Sequence, residues 1–240
     1  EMDTVVGPKP GKVILTMLFR NCTFMLAFLM DNKKSESVIR VFRFLQNELG
    51  SETFSRLFPV ILTDRGSEFS NPLALECDEY GEILSKVFFC NANAPYQKGR
   101  LEKNHEFLRY IIPKGTSFDT MTQDDITLCI NHINSTARGS LNDRTPFELA
   151  SMLLDVKLFE LLHLKPVEPD SVLLKPALLW FSFSEQCHIA ALTGTAGLQK
   201  AEKICTLHPA MTCDNPFSIA CSHTGRASTL VPSKKLTPVV

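Results

Sequence analysis

Three short apolar runs open the chain: MDTVV at 2–6, KVILTMLF at 12–19 and TFMLAFLM at 23–30. The turn-forming GPKPG at 7–11 and the polar RNCT at 20–23 separate them, which predicts an antiparallel meander of three strands. The period then changes. In SESVIRVFRFLQNEL apolar residues fall at 38, 39, 41, 42, 45 and 49, the spacing of an amphipathic helix with Ser35 as its N-cap. PVILTD at 59–64 predicts a fourth strand, NPLALECDEYGEIL at 71–84 a helix or two short turns with Pro72 near its start, and KVFFCN at 86–91 a fifth, buried strand. After ANAPYQKG a helix runs from about Arg100 to Ile112 and ends at Pro113 and Gly115. DDITLCINHINST adds a helix capped from about Thr122, and TPFELASMLL another with Pro146 in its first turn. Residues 1–165 therefore read as an α/β core, a five-stranded mixed sheet flanked by helices.

Past residue 165 the texture changes. KPVEPDSVLLKPALL is extended and punctuated by proline, so 166–179 reads as a C-terminal extension of the core. Residues 180–240 carry eight charged side chains and no sustained period, the pattern of a weakly specified tail. Its His188, His208 and His223 lie near Cys205, Cys213 and Cys221 at spacings that match no zinc-ligand pattern.

Composition narrows the class. With 44% hydrophobic and 21% charged residues the chain is globular, and no apolar run reaches the roughly 18–20 residues that span a bilayer. A net charge of −1 excludes a global polycation, so a nucleic-acid role must rest on a local patch. The eight cysteines form neither CxxC pairs nor a disulfide scaffold and are expected to be reduced, which suits a cytoplasmic protein. The chain opens on Glu1 with no methionine or signal peptide, which raises the expectation of a segment from a longer protein.

Candidate chemistry starts at ILTDRGSEF, 61–69, where a strand runs straight into Asp64 and a glycine. Two readings compete: a carboxylate that merely braces the turn at Gly66, or a catalytic carboxylate at a rigid strand end. Partners decide between them. Asp3 sits in the first strand, and Glu102 lies in the first turn of the helix after the fifth. If the first and fourth strands are neighbours, Asp3 and Asp64 stand side by side and Glu102 can come over them. Three such carboxylates repel one another strongly, so the cluster calls for cations, and hard oxygen donors suit Mg²⁺ or Mn²⁺. Removing one carboxylate is accordingly expected to raise stability in metal-free buffer.

MDTVVG, ILTDRGSEF and APYQKGRLEKNHEFLRYIIPKGTSFD, in this order, together with INSTARGSLNDRTPFELA, resemble the integrase core of DDE transposases, and most nearly the insertion-sequence-thirty family of bacterial elements. The resemblance covers about residues 1–165. It implies an RNase H-like fold and a catalytic, metal-binding triad of Asp3, Asp64 and Glu102 holding two Mg²⁺ or Mn²⁺ ions. It also implies DNA strand cleavage and transfer at the ends of an insertion sequence. The partners would be transposon-end and target DNA, the active complex a homo-oligomer, and the location the bacterial cytoplasm at the nucleoid. The family carries a helix-turn-helix region before the core, and this sequence begins two residues before Asp3, which raises the expectation that site recognition lies outside it.

Lys98, Arg100, Lys103 and Arg109 crowd the stretch around Glu102, a local excess that suits either phosphate contacts or a solvated helix face. Glu68, Glu106 and His105 lie near the same centre, with ordinary structural roles as the commoner fate. Two rivals to transposition remain open in the sequence: a nuclease limited to hydrolysis, and a non-catalytic DNA-binding or interaction remnant.

Overall fold

The computed structural model describes residues 1–91 and 95–179. The opening meander forms as the pattern predicts: β1 (Met2–Val5), β2 (Val13–Phe19) and β3 (Phe24–Met30) pair antiparallel in the order β1-β2-β3. β2 and β3 are apolar on both faces because helices cover both sides. On one side α1 (Ser35–Leu49) buries Val38, Phe42, Leu45 and Leu49. On the other lie α4 (Gly99–Ile111) and α5 (Gln123–Asn134). Between α1 and these come α2 (Ser51–Leu57), β4 (Val60–Thr63), α3 (Pro72–Glu76) and β5 (Lys86–Phe89). α6 (Pro146–Leu153) and α7 (Val156–Leu161) follow α5.

The five-stranded sheet is corrected to three plus two. β4 and β5 pair parallel in a sheet of their own, and no ladder joins β4 to β1 among the described residues. The cause is local. Glu1 and Leu18 exchange both backbone bonds, so Asp3, two residues on and opposite Thr16, also faces β2, whereas the N–H of Thr4 points away from it toward β4. That N–H is taken by the carboxylate of Asp3 at 2.8 Å, leaving no donor there for a β4 carbonyl. β5 is also less buried than its apolar letters predict, with Phe88 53% exposed, as befits an edge strand.

α2 escapes the sequence pattern because it is one short helix set off by Gly50, whose φ of 80° ends α1. Its Phe54 is fully buried between Phe42 and Phe58. The expected Ser35 cap does not form, since Ser35 is already helical and Lys34 holds the N-cap position with no side-chain bond, whereas the expected Thr122 cap does form. Thr122 with Asp125, and Thr145 with Glu148, make reciprocal capping boxes, and Pro146 occupies the first turn of α6.

β3 would be an open edge, and α5 closes it with side-chain amides. Asn134 accepts from the Met25 N–H at 3.0 Å and donates to the Met25 carbonyl at 2.8 Å, while Gln123 does the same for Leu29 N–H and Ala27 C=O. Each amide stands in for a strand residue. Asn134 is fully buried, so Asn134→Ala strands two backbone groups and is expected to cost about 2–4 kcal/mol. A urea titration with an unchanged m-value checks it; a loss below about 0.5 kcal/mol would mean that water or another group takes over.

Residues 166–179 pack back on α5: Val167 N–H donates to Ser135 Oγ, Leu173 N–H donates to His132 Nδ1 at 3.0 Å, and Leu178 is buried. Since Nδ1 accepts, His132 is neutral there, and burial holds its pKa below 6.5. The unfolded chain therefore binds a proton that the folded chain refuses, and stability falls as pH drops below about 6.5. The melting temperature is expected to be several degrees lower at about pH 5.5 than at about pH 7.5. His132→Asn, whose Oδ1 also accepts, should reduce that dependence to the share of His105, whose pKa burial also lowers; an unaltered slope would remove His132 as a source.

The four described cysteines are free thiols, and no helix among the described residues is long and apolar enough to cross a membrane. The tail from 180 to 240, with its cysteines and histidines, lies outside the described residues.

Candidate cation site at the ends of β1 and β4

β1 and β4 run side by side and bring Asp3 and Asp64, 61 positions apart in sequence, to one buried ammonium. Lys98 Nζ lies 3.2 Å from Asp3 Oδ2 and 2.9 Å from Asp64 Oδ2. The lysine side chain is 8% exposed, that of Asp3 23% and that of Asp64 45%, so the bridge is sealed from below and open on the Asp64 side. Burial alone would lower the Lys98 pKa, but the hydrogen bond to Asp64 and the charge of Asp3 outweigh it and hold the ammonium above its ordinary value. Burial likewise opposes the charge on Asp64, and Lys98 and the Gly66 N–H overcome it, holding the carboxyl below its ordinary value.

Each carboxylate has one oxygen committed locally. Asp64 Oδ1 accepts from Gly66 N–H at 2.9 Å and Asp3 Oδ1 from Thr4 N–H at 2.8 Å. Both readings of Asp64 therefore hold together: it braces the turn with one oxygen and presents the other. Gly66 leaves room for the Glu68 carboxylate, since a Cβ there would stand 2.5 Å from Glu68 Oε2 and push that side chain aside.

Glu68, 1% exposed, replaces the missing ladder as a tie between the two strands. Its Oε1 accepts from Thr4 Oγ1 at 2.6 Å and pairs with Lys33 at 3.2 Å, and its buried Oε2 has no hydrogen-bond partner. On the opposite side Glu1 Oε2 accepts from Leu101 N–H at 2.8 Å and Oε1 meets Arg20 at 3.1 Å, fixing the first turn of α4 over β1. One turn further, His105 Nε2 shares a 2.8 Å hydrogen bond with Thr16 Oγ1, which also donates to the Asp3 carbonyl. Burial pushes the His105 pKa down although Asp3 pulls it up.

The remaining predicted residues spread out. Glu102 is exposed on α4, one turn before His105, with no hydrogen bond or ion pair among the described residues. No three His, Cys, Asp or Glu side chains among the described residues stand together as metal ligands. Lys98 faces the aspartates rather than solvent. Arg100 donates to the Arg20 carbonyl and Arg109 to the Val6 carbonyl at 3.4 Å, while Lys103 is exposed. Glu68 could be read from its position in DRGSEF; Glu1, Thr4 and Thr16 carry no sequence signal beyond their strands.

No protein-family model matches the chain. It is 33% identical over 144 residues to ORF3 of Spiroplasma virus SpV1-R8A2 B, named as an integrase, covering 59% of this chain and 42% of that one. It is 28% identical over 153 residues to transposase InsI for insertion sequence element IS30C of Escherichia coli K12, covering 62% of this chain and 37% of that one. Among solved structures, the catalytic core domain of BIV integrase aligns with a TM-score of 0.42 at 15% identity, over 63% of this chain and 91% of that chain. The chain thus spans less than half the length of these curated relatives. Over some three fifths of its own length, it is similar in sequence to transposases of the IS30 family and to an integrase.

Proposed function

We propose that this chain carries the catalytic core of a DDE transposase, with an RNase H-like architecture, acting on transposon-end and target DNA as a homo-oligomer at the bacterial nucleoid. The observation that carries this reading is the convergence of Asp3 and Asp64 on a single buried positive charge. Two carboxylates, each with one oxygen tied to the backbone and the other held only by Lys98, are hard donors that fit Mg²⁺ or Mn²⁺ once the ammonium gives way. Asp3 and Asp64 would hold the ion, and Glu102, exposed one helical turn from His105, would complete the set for a second. When bound, such ions activate a water or a 3′-hydroxyl and stabilise the departing 3′ oxygen.

The chain's own residues do the rest. Glu68 with Thr4, and Glu1 with Leu101, keep the aspartates and α4 in fixed relation, so orientation is set before DNA arrives. His105, hydrogen-bonded to Thr16, holds α4 against β2 beside Asp3. In each step one P–O bond breaks as one forms, with no covalent enzyme intermediate: water attacks the phosphodiester at the transposon end and releases its 3′-hydroxyl, and that hydroxyl then attacks a target phosphodiester and releases the target's 3′-hydroxyl. Lys103 and Arg100, exposed on α4, supply phosphate contacts along the flank.

The test is a pair of assays with Mg²⁺. The chain should nick a duplex carrying transposon-type ends to leave 3′-hydroxyls, and should join a pre-cut end to a plasmid. Nicking without joining would assign it to hydrolysis alone. Neither reaction, also with the relatives' DNA-binding region fused in front, would sink the proposal.

A further inference from the structure

We infer that Lys98 is a resident counter-ion which an incoming divalent cation must displace, so that metal entry releases the ammonium for a DNA phosphodiester. This rests on the two-aspartate site proposed above. The free oxygen of each aspartate is the one that Lys98 holds, because Asp3 Oδ1 and Asp64 Oδ1 are engaged by the backbone of Thr4 and Gly66. A metal ion that takes both Oδ2 atoms therefore takes the place of Nζ. The two positive charges cannot share the gap, since like charges at such separations in a partly buried setting repel strongly.

Geometry also allows the exchange. Lys98 is the last residue before α4, and its flexible four-carbon stem lets the ammonium move while the helix stays anchored by Glu1. In the metal-free protein the lysine bridges two carboxylates that would otherwise repel, which helps to keep β1 and β4 together where no backbone ladder does. Once displaced, it stands at the rim of the site as an unpaired cation, and a phosphodiester is the complementary charge. Metal and DNA then favour the same state of Lys98, so each strengthens binding of the other.

Calorimetric titration of Mn²⁺ into the full chain and its Lys98→Met variant, without DNA, tests the exchange. The variant should bind Mn²⁺ at least about tenfold more tightly, with a metal-free melting temperature below that of the parent and a gap that closes on loading. Equal or weaker binding by the variant, with Mn²⁺ still binding the parent, overturns the exchange and leaves the aspartate site standing. No binding by either removes the site and the exchange together. A measurement on the unaltered chain guards against a variant that fails to fold: acetic anhydride labelling read by peptide mass spectrometry. Lys98 should label slowly relative to Lys103 without metal and several-fold faster with Mn²⁺. A rate that Mn²⁺ leaves unchanged overturns the proposal on its own.

Discussion

Asp64→Asn is expected to lower DNA strand cleavage and transfer by at least about three orders of magnitude while leaving the fold intact. The substitution keeps the shape and the bond from Gly66 N–H, so the turn after β4 survives. It removes the charge that faces Lys98, and with it a proposed ligand for a divalent ion that would supply several kcal/mol of transition-state stabilisation. Asp3→Asn should behave alike. A gel assay of nicked and joined products reads the loss, and an Asp64→Asn protein that cuts like the parent would end the assignment. The accompanying stability change reverses what carboxylate repulsion alone suggests. Because Lys98 bridges both aspartates, removing one charge weakens a favourable contact, and the variant should be less stable without metal by about 1 kcal/mol or less, given the exposure of Asp64. The sign also fixes the pH window. The folded pKa of Asp64 lies below its ordinary 3.8. Its contribution is therefore full above that value and is lost as pH falls through the depressed folded value.

The largest stability effect is expected at Phe24. Its ring is fully buried and meets Phe147 of α6 at 5.6 Å and Phe159 of α7 at 5.5 Å, both edge-on, while Phe147 and Phe159 lie 5.4 Å apart. These three rings join the C-terminal helices to β3. Phe24→Ala removes the shared member and leaves a cavity that two short helices cannot fill, at a cost of about 3–5 kcal/mol. Such a loss is a large part of the stability of a domain this size. Urea unfolding followed by circular dichroism measures it. A cost under about 1 kcal/mol would mean that α6 and α7 contribute little to the core.

Local periodicity carried much of the fold. VILTMLF and FMLAFLM announce strands, SESVIRVFRFLQNEL a helix face, Thr122 a cap and Pro146 a first turn, because each signal is complete within a few residues. What was missed depends on partners far along the chain. The β1–β4 ladder fails because one side chain, Asp3, captures one N–H, and nothing in MDTVV reveals that choice. Gln123 and Asn134 close the β3 edge across 94 and 109 positions, beyond any window. α2 is too short for its period to stand out. Asp64 was legible because an apolar strand running into a carboxylate and a glycine is a local pattern. Lys98 was counted with the basic flank because charge counting cannot tell which cation meets two buried acceptors.

The most direct measurement of the central claim, that Asp3 and Asp64 form a divalent-cation site, is anomalous diffraction from crystals of this chain soaked in Mn²⁺. The expected result is a strong peak within about 2 Å of an oxygen of Asp3 and of Asp64, with Lys98 Nζ withdrawn from both. A crystal with Mn²⁺ bound elsewhere, or with no peak and Lys98 still bridging the two aspartates at saturating metal, would contradict it.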